Sequence, residues 1–235
     1  MIRYSVITEK NPREIVLLRG RGCAWRRCRF CDYHLDFCKN EEENFQLNKS
    51  VLKNVTGVYH KLEVINSGSF VDIDTQTMEE IIAVCLQKGI KEIHFECHFI
   101  HREAIPALKE RFLKEGIQVV MKTGVETFDY LFRESYLGKG IEAKTPEELV
   151  PYFDEVCLLQ GIPGQSQEFM ERDIETGLRY FSRVCVNIMV ENSTPVKPDP
   201  DVIRIFRERI LPKYEKNDRV DILIENTDFG VGVCR

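Results

Sequence analysis

The feature that most constrains this chain is alternation. Short apolar runs rich in Val, Ile and Leu recur with stretches of helical periodicity between them, at least six times, with no break in composition. Strands are expected at 14–19, 61–65 (KLEVI), 91–97 (KEIHFEC), 117–124 (IQVVMKTG), 154–160, 183–191 and in RVDILIE near the end. Helices are expected at 49–60, in MEEIIAVCLQKG with Thr77 as its cap and Gly89 as its stop, at about 102–114, 127–134, 147–152 and 168–180, and from Pro200 through Arg209. Strands separated by helices pair in parallel, so the pattern predicts an α/β domain, either barrel or doubly wound sheet. Such folds gather their chemistry at the C-terminal ends of the strands.

The first of those strand ends runs into RGRGCAWRRCRFCDY, residues 19–33. Cys23, Cys28 and Cys31 there follow the spacing C-x4-C-x2-C. Three thiolates are one fewer than the four that close a structural iron–sulfur or zinc site, which leaves one coordination position for a small molecule. A small zinc site closed by His34 or Cys38 is the other reading of the same loop. Arg19, Arg21, Arg26, Arg27 and Arg29 crowd it. They either neutralise an anionic cofactor or the acidic face of an electron donor, or they solvate a thiolate-rich loop.

Composition narrows the setting. At 235 residues, 43% hydrophobic and 30% charged, the chain has material for one good core. It is read as a single domain over 1–235. No apolar run reaches the ~20 residues of a membrane span and the polar start MIRYSVITEK is no signal peptide, so a cytoplasmic protein away from membranes is expected. Nine cysteines then read as reduced thiols plus a metal site rather than a disulfide framework. Cys85, Cys157 and Cys185 sit on apolar faces as core residues. A net charge of −5 argues against a broad nucleic-acid footprint.

A three-cysteine loop after the first strand of a βα-repeat chain resembles the radical S-adenosylmethionine (radical SAM) enzymes. Three further stretches fall where that family needs them: Asn66-Ser67-Gly68-Ser69, Gly124-Val125-Glu126 and Gly161-Ile162-Pro163-Gly164. The family's commonest cysteine spacing is one residue shorter, C-x3-C-x2-C, and its usual Gly-Gly-Glu is replaced here by Asn-Ser-Gly-Ser. The resemblance implies a partial (β/α)6 TIM-like barrel, with a cluster loop at 20–38 and a C-terminal extension from about 192 to 235 closing it. It further implies a [4Fe–4S] cluster on Cys23, Cys28 and Cys31, with S-adenosyl-L-methionine as the second cofactor. Phe30, Ser67, Gly68, Gly124, Glu126, Gly161 and Ile162 are the residues that would line that cofactor. An electron donor such as flavodoxin or ferredoxin is implied as partner.

Within the family the chain resembles enzymes acting on 7-deazaguanine compounds and tRNA. This implies a lyase that takes queuine, or a related 7-deazaguanine, and releases its aminomethyl base by breaking a C–N bond. Other radical SAM chemistry on tRNA or a small molecule stays open, as does a zinc-binding barrel without catalysis. Polar residues at strand ends are the substrate candidates: Glu96, His98, Glu191, Asn192, Glu225, Asn226 and Asp228. A carboxylate within an apolar strand is costly to bury alone, so Glu96 either meets a ligand donor or pairs with a basic neighbour. Glu126 faces the same choice, with Lys122 as its nearby cation. His98 and His101 are either proton carriers or ordinary surface histidines.

Overall fold

The computed structural model describes residues 2–224. Its strands lie in the sheet in sequence order, β1 to β8. The described residues form two compact units, the first from residues 2–26 and 33–122, the second from 27–32 and 123–224.

In the first unit, β1 (Tyr4–Ile7) runs antiparallel to β2 (Arg13–Leu18), and β3 (Lys61–Asn66), β4 (Glu92–Glu96) and β5 (Gln118–Glu126) follow in parallel. The N-terminal strand β1 was not expected from the sequence; it is a four-residue, half-exposed edge strand. The helices are α1 (Glu41–Leu52), α2 (Thr75–Lys88) and α3 (Ile105–Lys114).

α1 lies about eight residues earlier than the expected helix at 49–60, over residues that read as a polar loop. Its start is set by electrostatics. The Asn40 side chain accepts from Glu43 N, and Glu41, Glu42 and Glu43 place negative charge on the positive helix end. α2 is capped by Asp74, whose carboxylate takes both the backbone N and the hydroxyl of Thr77 at 2.7 Å, so Thr77 is a contact of the cap rather than the cap. Gly89 closes α2 in the left-handed region, φ 68°, as expected.

The two faces of this sheet differ. Val16, Val64, Phe95 and Met121 are register neighbours on one face, where Phe95 meets Phe112 of α3 edge-on at 5.5 Å. On the opposite face Ile15, Glu63 and His94 stand in register. Glu63 is fully buried there and ion-pairs with both Arg13 and Lys122. Burial alone would push its carboxyl up; Lys122, Arg13 and His94 outweigh that and hold it well below the usual carboxylate range.

The second unit holds β6 (Glu155–Gln160), β7 (Arg183–Ile188) and β8 (Val220–Leu223), all parallel, with α4 (Gln167–Tyr180), α5 (Pro200–Ile205) and α6 (Leu211–Tyr214). Val156, Val184 and Val220 form a register row. α4 lies close over it because Gly177 has no side chain: a Cβ there would come within 2.6 Å of Val184 Cγ2. The helix expected at 127–134 is instead a short π-helical turn, Phe132–Tyr136, and that expected at 147–152 shrinks to a single 3-10 turn, Pro146–Glu148. Both segments serve side-chain networks that do not follow helical periodicity. Cys85, Cys157 and Cys185 are buried, as core residues should be.

Replacing Glu63 by Met leaves the buried Arg13 and Lys122 without the carboxylate they share. The expected loss is about 3–5 kcal/mol of stability, read as a lower urea midpoint with an unchanged m-value. A midpoint within error of the parent protein would show that the network does not hold this sheet together.

Candidate functional site

Each unit contributes a set of predicted residues. In the first, the chain leaves β2 at Leu18 and passes close to the turn after β3. Gly20 lies so near Asp72 that a Cβ would be 2.6 Å from its carbonyl oxygen, and Arg21 N donates to the same oxygen at 2.9 Å. Cys23 is half-buried beside Gly68, where a Cβ would come within 3.1 Å of Cys23 Cα and 2.3 Å of Asp72 Oδ2. Any side chain at position 68 would displace the cysteine loop or the carboxylate.

The Asn66–Ser69 turn is itself tightly held. Gly68 N donates to Asn66 O, Asn66 Nδ2 to Ser69 O, Ser69 N to Asp72 Oδ2, and the Ser67 hydroxyl to Asp36 O. Burial raises the Asp72 carboxyl, opposed by the Ser69 N–H and by the positive charge of His101, Arg21 and Arg26.

His98 joins this group. Its backbone N donates to Ser69 Oγ at 2.9 Å, and its ring stacks on Trp25 with centroids 5.8 Å apart. Glu96 is half-buried at the end of β4, register partner of Lys122. Asp72 and Trp25 were missed by sequence reasoning. Trp25 had one available signal, the only tryptophan of the chain lying inside the cysteine loop.

In the second unit the segment 27–32 is clamped from two sides. Arg29 N donates to Leu137 O at 2.8 Å, and Val196 N donates to Arg29 O at 2.9 Å. Asn192 is buried and gives its Nδ2 to Phe30 O at 2.7 Å, while its Oδ1 accepts from Thr194 N and Oγ1. Phe30 is fully enclosed with Leu137, Leu159, Ile162, Met189 and Val196, and Cys28 and Cys31 pack against that cluster. Ile162 is thus brought to Phe30. Gly161, at φ 87°, admits Ile203 of α5 where a Cβ would collide at 2.8 Å. Glu191 is more remote: it is exposed and ion-paired with Lys197 at 2.7 Å.

Glu126 ends β5 with φ 66°, a left-handed conformation that is strained for a residue with a Cβ. Its partner is Lys139, with Nζ 2.7 Å from Oε1, and not the expected Lys122, which pairs with Glu63. A Cβ on Gly124 would be 2.5 Å from Glu126 Oε1 and 3.0 Å from Lys139 Nζ, so a side chain there would push the pair from its present position. Lys139 Nζ lies 5.5 Å from the Phe30 ring centroid. Burial pulls the Lys139 ammonium down, but Glu126, Cys28 and Cys31 outweigh it and hold the group protonated.

Arg133 fixes the loop that carries Lys139. Fully buried, it donates to the carbonyls of Thr127, Ile141 and Ala143, and to Glu134, which in turn accepts from Gly140 N and Ile141 N. Glu225, Asn226 and Asp228 lie outside the described residues. All eight cysteines among the described residues are free of disulfides.

With this geometry in place, comparison with known proteins identifies the class. The structure matches the queuine lyase from Clostridium spiroforme bound to SAM and queuine at TM-score 0.92, with 42% identity over 98% of this chain and 99% of that one. It also matches Streptococcus suis SuiB, alone and bound to S-adenosylmethionine, at TM-score 0.54 and 13% identity. That match covers 88% of this chain and about half of the other, and shows a shared fold. No family model and no curated protein matches. The fold is the α/β partial (β/α)6 barrel of the radical SAM class. The chain belongs, within that class, to the queuine lyase family.

The turn after Glu126 carries a pH signature. Asp173 of α4 accepts from Phe128 N at 2.9 Å, and its other oxygen is buried without a hydrogen bond. Burial pushes its carboxyl up to about 6. The folded state therefore holds this proton longer than the unfolded chain, and its contribution is greatest at low pH and lost as pH rises through about 4 to 6. Asp173→Asn is expected to remove a fall on the order of 2 kcal/mol over that window. Identical melting-temperature profiles for variant and parent would refute it.

Proposed function

We propose that this protein is a radical SAM lyase that cleaves the C–N bond of queuine and releases the aminomethyl-deazaguanine base. The observation that carries the reading is the 42% identity, spread over nearly the whole of both chains, to a queuine lyase. The whole chain, 1–235, is read as one catalytic domain, with the cluster loop at 20–38 and a C-terminal extension from about 192 that closes the barrel.

The donor set suits a [4Fe–4S] cluster. Cys23, Cys28 and Cys31 are in no disulfide, and two of them back onto the apolar Phe30 cluster with a protonated lysine nearby. Among the described residues no three His, Cys, Asp or Glu side chains form a preformed metal cage, so the fit is one of donor chemistry. When bound, the cluster and S-adenosyl-L-methionine supply the 5′-deoxyadenosyl radical that removes hydrogen from the substrate.

The chain's own residues bind and orient. Carbonyls of the Ser67–Gly68 turn would accept from the ammonium group of the second cofactor, and Gly124–Glu126, Gly161–Ile162 and Phe30 would line it. A deazaguanine edge presents two N–H donors side by side, which a carboxylate accepts as a forked pair. Glu96, at a strand C-terminus, is our first choice for that role. His98, Glu191, Asn192, Glu225, Asn226 and Asp228 are proposed to meet the diol and the secondary ammonium. Asn192 would do so through the cysteine loop that it anchors. The arginines around the cysteines would receive an acidic electron donor such as flavodoxin or ferredoxin. Among the described residues no helix is long and apolar enough to cross a membrane. Cysteines without disulfides among the described residues support a cytoplasmic setting.

The test is anaerobic. Protein reconstituted with iron and sulfide is given dithionite and S-adenosyl-L-methionine, with and without queuine, and products are followed by mass spectrometry. 5′-Deoxyadenosine together with the aminomethyl base is expected. 5′-Deoxyadenosine with untouched queuine would remove the substrate, and a colourless zinc protein would remove the chemistry. Glu96→Gln is expected to lower kcat/KM about tenfold or more, the worth of one charged hydrogen bond; unchanged kinetics would take Glu96 out of the site.

A further inference from the structure

Several separate devices bring Lys139 to the cysteine segment. The loop that carries it is docked on that segment: Leu137 O accepts from Arg29 N, and Gly138, at φ 66°, approaches Arg27 O so closely that a Cβ would lie 2.9 Å away. Arg133 and Glu134 hold the far side of the loop through backbone groups from Thr127 to Ala143. Glu126 accepts strained backbone to reach the ammonium, and Gly124 gives up a side chain to make room. The ammonium ends 5.5 Å from the ring of Phe30, the residue between Cys28 and Cys31, and both thiols pack on that ring's cluster.

A surface lysine needs none of this. A structural ion pair needs the Glu126 contact, but not a loop docked on the cysteine segment.

We infer that Lys139 is a positioning residue for electron transfer: the built-in counter-cation of the cluster held by Cys28 and Cys31, raising its reduction potential, with Glu126 as the restraint that holds the ammonium and moderates its effect. The inference rests on the radical SAM reading. The physics is elementary. Reduction adds one negative charge to a cluster already bounded by thiolates, and a fixed cation in a site of low dielectric favours the more negative state. Groups outside the ligand set tune a metal centre in this way without touching it.

The experiment uses the reconstituted full-length protein without S-adenosyl-L-methionine. Iron and sulfide content and the visible spectrum establish loading; an equilibrium redox titration, followed by electron paramagnetic resonance of the reduced cluster, gives the midpoint. Lys139→Met is expected to lower the midpoint, Lys139→Arg to keep it near the parent value, and Glu126→Gln to raise it, because the carboxylate charge that offsets the ammonium is then gone. Opposite shifts in the first and third variants separate an electrostatic role from a loosened fold, which would move both the same way.

Loaded Lys139→Met with the parent midpoint, or shifts of one sign in both variants, overturns the inference. Should Lys139→Met fail to load, Glu126→Gln decides alone, and a midpoint at or below the parent's overturns it. An unchanged midpoint, with weakened S-adenosyl-L-methionine binding in a separate titration of the loaded variant, would reassign Lys139 to the cofactor's carboxylate, and so also overturns it. A parent protein that takes up no iron–sulfur cluster would sink the radical SAM reading beneath it, a failure distinct from these.

Discussion

A charge taken into the interior of a parallel sheet has to bring its counter-charge with it, and each unit of this protein is arranged around that requirement. Desolvation of an isolated ion costs several kcal/mol even after relaxation, more than any single contact returns. In the first unit Glu63 draws Arg13 from β2 and Lys122 from β5 onto its own strand β3, so one carboxylate ties three strands together. In the second, Lys139 and Glu126 meet where Gly124 leaves space, and Arg133 spends its guanidinium on backbone carbonyls. These networks sit where apolar side chains would pack more simply.

The cysteine loop follows from a different economy. A loop has backbone groups to satisfy and no ladder to satisfy them. Residues 27–32 solve this by borrowing partners: Leu137 O, the Asn192 side chain, Val196 N and the pair Ser193–Asp32. Phe30 then anchors the segment by complete burial, worth roughly 2–3 kcal/mol on area grounds. Asn192 is the instructive residue. Its amide is held by the loop and by Thr194, so whatever it contributes at the site passes through the position of Phe30. The long segment between β7 and α5 is therefore part of the cysteine loop's support rather than a simple connection.

Helix starts show where local patterning misleads. Apolar spacing at Val51, Leu52, Val55 and Val58 suggested a helix over 49–60, yet only the first two lie in one. Asn40 and the three following glutamates outweigh the spacing, because a satisfied cap and a favourable dipole start the helix earlier. Asp74 displaces Thr77 as a cap for the same reason: the longer-reaching carboxylate takes the exposed N–H and the threonine hydroxyl together.

By itself the sequence determined the α/β alternation, the three thiols after the first parallel strand, and the glycine-containing turns at strand ends. All of these are local: periodicity, spacing along the chain and the absence of a Cβ are carried by neighbouring residues. Only the tertiary structure decided which charges meet. Lys122 is four residues from Glu126, yet it belongs to Glu63, 59 positions away, and Glu126 belongs to Lys139. Pairing of that kind depends on strand register and on which face of the pleat a side chain takes, and a shift of one residue reverses both. The partners of Cys28, Phe30 and Cys31 were hidden for the same reason, since residues 137–139 and 192–196 reach them only after the sheet has formed.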